Sequence, residues 1–232
     1  MTLFVSPGNA RVESASPFCV KVARGLNHKQ LRYTVEVRAK RLRALVNPLG
    51  KLPVLQVGGD LIADSTAILA WLERLYPAHP LLPTGRRAAA EARILEDWAD
   101  QSLYYSLMYL RWLHRPNWLL YKAAFMDDAP REHRSFLTRR QVRLRLDHHG
   151  IGRKEYGQVM GELRQMVDDL DALLDGREFL VGDRLSIADL AIFAMVNGLC
   201  VGSTPDAEQL VKERPNLWGH VRRIDETTGA KP

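Results

Sequence analysis

The side chains of this chain that could carry chemistry are few, and they gather at the starts of helices. Ser16 and Cys19 flank Pro17-Phe18 where one apolar periodicity begins, Asp64 and Ser65 open another, and Lys51-Leu52-Pro53 leads into a short apolar run. A serine at a helix start is either a cap, accepting one of the free N–H groups there, or a hydroxyl left to serve a bound group. A cysteine acts as nucleophile or disulfide partner only as thiolate, which a helix N-terminus favours and burial opposes. Two cysteines, Cys19 and Cys200, are too few for a disulfide framework or a structural zinc site. His114, His133, His148 and His149 lack useful spacing to acids or cysteines, so no metal is expected.

The elements that must hold these residues can be read from periodicity. Thr2–Val5 and Pro53–Val57 are β-prone, and Arg32–Arg38 alternates with period two as a half-buried strand. Gly58-Gly59 supplies the turn of a hairpin into Asp60–Ala63. Helical patterns occupy 17–28, about 39–46 and 65–76. The first has Ser16 at the cap, Pro17 at the first helical position and a Phe18, Val22, Leu26 stripe. Proline cannot donate to a sheet ladder, so a cis bond at Leu52–Pro53 would explain its place at a strand start.

Pro77, Pro80 and Pro83 then break the chain, and His79–Arg87 reads as a linker. Beyond it lie a long helical stretch over 86–114 and a less regular one over 115–153. A strongly patterned helix follows over 155–175, with Val159, Leu163, Met166, Val167, Leu170, Leu173 and Leu174 on its stripe. A buried helix over 187–199 is opened by Ser186 and Asp189 at capping-box spacing, with Leu185 and Leu190 at the staple positions.

At 232 residues, 46% hydrophobic and 26% charged, the chain is long enough for one large or two small folded units. No run of 18 apolar residues crosses a membrane, Met1–Ala10 lacks a signal-peptide layout, and a reducing, cytoplasmic setting is expected. The net charge of +6 is uneven, about +7 over residues 11–43 and about +6 over 131–154. Such blocks can mark nucleic-acid or membrane patches, an attraction for small anions, or solvated helix faces. No aromatic residues interleave the arginines of 139–145, so neither a nucleic acid nor a membrane partner is expected.

Several separated pieces resemble the cytosolic glutathione transferase superfamily. They are Ser16-Pro-Phe-Cys19-Val-Lys-Val, Asn47-Pro-Leu-Gly-Lys-Leu-Pro53-Val-Leu, Asp64-Ser65-Thr-Ala-Ile-Leu, Phe179-Leu-Val-Gly-Asp through Asp189, and Arg214-Pro-Asn-Leu-Trp218. The resemblance implies an α+β fold: a thioredoxin-like, glutathione-binding domain over 1–80, then an all-α domain over 88–232 that forms the second-substrate pocket. It implies glutathione as co-substrate, with Ser65 on the γ-glutamyl carboxylate, Asp64 toward the ammonium and Lys51 toward the glycyl carboxylate. Leu52 before Pro53 would pair with the cysteinyl unit, and Phe18 belongs to the same cradle. Ser16 would donate to the glutathione sulfur and stabilise its thiolate for attack on a small electrophile.

Cys19 is the second catalytic candidate, either a buried thiol or one that forms a mixed disulfide in a glutathione-dependent peroxidase or thiol-disulfide reductase. A non-catalytic binding or scaffold protein is the alternative from another class. Tyr104, Tyr105, Met108 and Trp112 are the expected walls of the second pocket, and the resemblance implies a homodimer, across which Asp100 could reach a partner's glutathione. Two departures from the family pattern stand out. The loop Ser6–Ala15 is long, which makes Ser14 a rival to Ser16. The basic segment through His148-His-Gly-Ile-Gly-Arg153 is similar to metaxin-like and failed-axon-connections-like relatives.

Overall fold

In the computed structural model, residues 1–38, 40–126 and 132–229 are described, with the backbone alone for 40–42 and 132–137. Four strands form one sheet in the order β2-β1-β3-β4: β1 (Thr2–Val5), β2 (Thr34–Val37), β3 (Val54–Val57) and β4 (Asp60–Ala63). β1 runs parallel to β2 with Leu3 beside Val35, and antiparallel to β3 with Leu3 beside Leu55; Gly58 at φ 59° turns the chain from β3 into β4. Leu3, Phe4 and Val5 are all buried, so the central strand is covered on both faces.

Helices α1 (Pro17–His28) and α2 (Ser65–Leu75) pack together near the sheet, and α1 also lies along α8 (Ile187–Leu199). Gly25 permits this three-way approach, since a Cβ there would lie 2.5 Å from Leu69 Cδ2. The half-buried strand expected over 32–38 is shorter, and all four residues of β2 are exposed. Val35 and Val37 share a face with Leu3 and Val5 but lie at the sheet edge. The helix expected over 39–46 is a 3-10 turn over Lys40–Leu45.

The linker is pinned to the fold. Leu81 is buried, the amides of Leu81 and Leu82 donate to the Glu73 carboxylate, and Leu81 O accepts from Ile187 N–H. Helix α3 (Arg86–Trp98) continues through a π turn, Ala99–Leu103, into α4 (Tyr104–Trp112). The stretch 115–153 is more regular than its prolines and glycines suggest, holding α5 (Arg115–Met126) and α6 (Glu132–His149). Pro116 lies in the first turn of α5, where its missing N–H has no partner to lose. Gly150, at φ 101°, follows the end of α6, and Pro130 lies outside the described residues.

Helix α7 (Tyr156–Leu173) buries Val159, Leu163, Val167 and Leu170 of the expected stripe, with Leu174 buried just beyond it, while Met166 is half-buried and Leu173 is exposed. Helix α8 is buried around nearly its whole circumference. Helices α9 (Pro205–Lys212) and α10 (Pro215–Thr228) follow, each opened by a proline. The Asp189 carboxylate at the start of α8 accepts from Leu180 N–H, Ser186 N–H and Ser186 Oγ–H, and meets His220 Nε2 at 2.9 Å.

Candidate active site

The active-site turn is shaped before α1 begins. Ser14 is buried; its hydroxyl donates to Ser6 O at 2.9 Å and accepts from Ser16 N–H at 3.2 Å. Ala15 N–H donates to Pro7 O. The Ser14 proton is thus engaged within the loop. Ser16 has extended backbone at φ −93°, ψ 116°, its carbonyl accepts from Cys19 and Val20, and its side chain makes no helix-cap bond. Its half-buried hydroxyl stands at the helix tip instead of capping it.

Cys19, one turn into α1, is fully buried. Burial pushes its thiol up, against the opposing pull of the Ser6 backbone, the Ser16 and Ser14 hydroxyls and the Arg43 charge. Cys200 is likewise pushed up to about 12 by burial. Neither is a thiolate near neutral pH.

The other end of the site is built by β3 and α2. The Leu52–Pro53 peptide is cis, with both residues buried. Asp64 caps α2: its Oδ1 accepts from Thr66 N–H at 3.0 Å and Ala67 N–H at 3.1 Å. This leaves Ser65, the first residue of the helix, with a backbone N–H that Asp64 does not use. Lys51 is exposed and forms no ion pair among the described residues.

Behind these tips lies a charged cluster that sequence reasoning missed. Lys21 Nζ is buried between Glu96 Oε1 at 3.0 Å and Asp100 Oδ2 at 2.5 Å, and Thr66 Oγ1 donates to Glu96 Oε1. Asp100 therefore pairs within its own chain through Oδ2. Its Oδ1 is buried without a hydrogen-bond partner. Burial raises its carboxyl to about 6; Lys21 opposes that rise, while Glu96 and Asp64 add to it. Lys21 read as part of a basic block because its partners lie 75 and 79 residues away.

The expected second-pocket walls separate. The Tyr104 ring lies 4.7 Å from Phe18, directly over the active-site turn. Tyr105 stacks on His149 at 3.6 Å, Met108 is half-buried, and Trp112 is buried against Trp118 and Tyr121 inside the helical cluster. Two arginines that the sequence did not single out face the turn. Arg111 is buried, donates to Ala15 O at 3.0 Å and Gly198 O at 2.6 Å, and lies 5.2 Å over the Tyr121 ring. Arg43 donates to Ser6 Oγ at 3.1 Å.

The long loop packs along α1 toward the helical region. Glu13 pairs with Arg24, which also pairs with Asp225 of α10, and the Arg11 guanidinium lies against Gly202. A cavity of about 230 Å³ between loop, α1 and β2 is lined by Glu13, Ser14, Cys19, Arg24, Asn27 and Tyr33 among others. Among the described residues no group of three or more His, Cys, Asp or Glu could hold a metal ion; the His133 side chain lies outside them.

Comparison with known proteins matches residues 14–80 to the family description "Glutathione S-transferase, N-terminal domain" and residues 153–231 to "Glutathione S-transferase, C-terminal domain". Isoprene-epoxide--glutathione S-transferase of a Rhodococcus strain is 22% identical over 92% of each chain. LigF of a Sphingobium strain is 25% identical over 66% of this chain and 61% of its own. The crystal structure of that protein, a β-etherase, superposes with a TM-score of 0.70 at 20% identity, covering 100% of this chain and 95% of that one. Failed axon connections of Drosophila melanogaster is 25% identical over 91% of this chain and 54% of its own. This chain thus aligns with less than two thirds of the length of LigF and of Failed axon connections in sequence. With the sheet-bearing part and the last helices both matched, in order and on the expected α+β architecture, the chain belongs to the glutathione S-transferase family.

Proposed function

We propose that this protein conjugates glutathione to a small electrophile, with the Ser16 hydroxyl holding the glutathione sulfur as thiolate. The observation that carries the reading is the Ser16 side chain itself, at the tip of α1 and free of any capping bond. Its rival Ser14 is buried and committed to Ser6 O. A hydroxyl that donates to sulfur favours the anion, as does the N-terminal end of α1. The thiol proton leaves to solvent, and the sulfur lone pair forms the new bond to the electrophilic carbon as the leaving group departs with its electron pair.

In this reading residues 1–80 hold glutathione and residues 88–232 supply the second-substrate pocket. The γ-glutamyl carboxylate meets the Ser65 end of α2, where the Ser65 N–H, left unused by Asp64, and the helix dipole suit an anion. The ammonium faces the acidic side made by Asp64 and Asp100, and the cysteinyl backbone pairs with Leu52. Exposed Lys51 is the partner for the glycyl carboxylate, and Phe18 with Tyr104 forms the apolar wall nearest the sulfur. Cys19 has no such support, since its thiol is buried and pushed toward the protonated form. Family membership, and a relative named for epoxide conjugation, support the reaction class.

The test is ultraviolet titration of the thiolate of bound glutathione, with turnover of an aryl halide. Ser16→Ala is expected to return the bound thiol toward about 8.5 and to cut kcat/KM by about ten- to a hundredfold. An unchanged titration in Ser16→Ala, with the loss found in Cys19→Ser, would transfer the role to the cysteine. No calorimetric binding of glutathione would leave a scaffold. The homodimer is likewise a proposal, checked by sedimentation.

A further inference from the structure

Resting on that reading, we infer that the co-substrate is an aromatic electrophile carrying an anionic group, received by Arg43 between the active-site turn and the tyrosines of α4 and α5. The two ends of the site differ in charge. One end holds Asp64, Glu96 and Asp100 with Lys21 as the buried cation among them. The other end holds guanidinium groups with no carboxylate partner among the described residues. Arg43 is half-buried, and its one side-chain hydrogen bond among the described residues is to a neutral hydroxyl, Ser6 Oγ; its Nε is buried and unpartnered. Arg111 is bound by two carbonyls and an aromatic face, and its Nε is also buried and unpartnered.

Arg43 lies within electrostatic range of both the Cys19 thiol and the Tyr121 phenol, and Tyr104 within range of Arg111 and the exposed Arg145. A guanidinium stays charged under these conditions. Two positive groups taken from water toward one apolar wall without counter-ions are unfavourable unless an anion arrives. Arg111 ties Ala15 to Gly198 through both terminal nitrogens, whereas Arg43 holds only the Ser6 hydroxyl, which makes Arg43 the guanidinium with terminal donors left for a ligand. The surroundings specify the rest of that ligand. Phe18 and Tyr104 offer ring faces beside the sulfur position, suited to an aromatic body, and a planar carboxylate matches the guanidinium fork.

The test uses the intact protein saturated with S-methylglutathione, which carries no thiol and so allows binding without turnover. A chloronitrobenzoate and its neutral amide, a chloronitrobenzamide, are titrated in separately by calorimetry. The acid is expected to bind at least about tenfold more tightly than the amide. Its affinity should fall as salt rises from about 50 mM to about 500 mM while that of the amide holds. In Arg43→Gln the preference should collapse to within about threefold, and Arg43→Lys should restore part of it. Equal binding of acid and amide by the wild-type protein, or a preference that survives Arg43→Gln, overturns the inference. Should S-methylglutathione and glutathione both fail to bind, the transferase reading falls. The acid-to-amide comparison on the unliganded protein still decides the role of Arg43.

Discussion

Replacing Asp100 by asparagine should stabilise this protein at neutral pH, against the usual cost of breaking an ion pair. The carboxyl is mostly buried, and with the attraction of Lys21 already counted it stands at about 6, above its ordinary 3.8. A raised carboxyl holds its proton longer when folded than when unfolded. The folded state is therefore favoured below the ordinary value, and that advantage is lost as pH rises through about 6. The difference corresponds to about 3 kcal/mol between the protonated and ionised limits. Asparagine keeps the shape and an oxygen for Lys21 but has no proton to lose. Urea unfolding of wild type and Asp100→Asn at about pH 3, below the ordinary value, and at about pH 7.5 reads the effect as a difference between the two proteins, which removes the acid titration of other carboxylates such as Glu73. Near-equal stability is expected at the lower pH, with the variant ahead by up to about 3 kcal/mol at the higher. For a chain this size that amounts to a Tm gap of roughly 6–12 °C. A stability difference that stays constant across the window, or a wild type that gains on the variant as pH rises, would refute the reasoning.

Three further outcomes follow from single contacts. Asp189→Ala leaves two buried N–H groups, the Ser186 hydroxyl and His220 Nε2 without their shared acceptor, and should cost about 3–5 kcal/mol in chemical unfolding. Gly25→Ala drives a methyl against Leu69 where α1, α2 and α8 converge, and should cost about 1–3 kcal/mol with no change in the titration of bound glutathione thiol. Arg111→Met keeps the bulk but releases Ala15 O and Gly198 O. It should cost about 2–4 kcal/mol and lower kcat more than it raises KM, because the carbonyl it frees belongs to the residue before Ser16.

Local rules explain which parts of this structure could be read from residues alone. Ser16-Pro17 opens α1, Asp64 caps α2, and Ser186 with Asp189 opens α8, because caps and first-turn prolines act within three or four residues. The hairpin at Gly58 and the bond before Pro53 are similarly local. Misreadings arise where burial depends on distant chain. Arg32–Arg38 alternates as a half-buried strand does, yet β2 lies at the sheet edge with both faces exposed. Residues 115–153 carry helix breakers, but Pro116 falls in a first turn and Gly150 falls after a last one. Tyr104, Tyr105 and Trp112 looked alike on one helix, and their partners send them to Phe18, His149 and Trp118 respectively.

The cationic residues carry the larger lesson, because the same block of positive charge divides by what each side chain meets. Lys21, Arg24 and Lys29 leave the surface to pair with Glu96 and Asp100, with Glu13 and Asp225, and with Glu73. These pairs tie α1 to the helical region, to the long loop and to α2, so the basic block over 11–43 is in large part internal bracing. Arg111 extends the bracing from the helical side by gripping Ala15, and Arg11 sets the loop against Gly202. The Ser6–Ala15 loop is therefore held at both flanks, and Ser16 inherits its position from contacts made across the chain and not from a capping bond of its own. Arg43 stands apart from this bracing. Its Nε is buried without a partner and no carboxylate accompanies it among the described residues, and that mismatch makes it the side chain by which the proposed site would recognise charge.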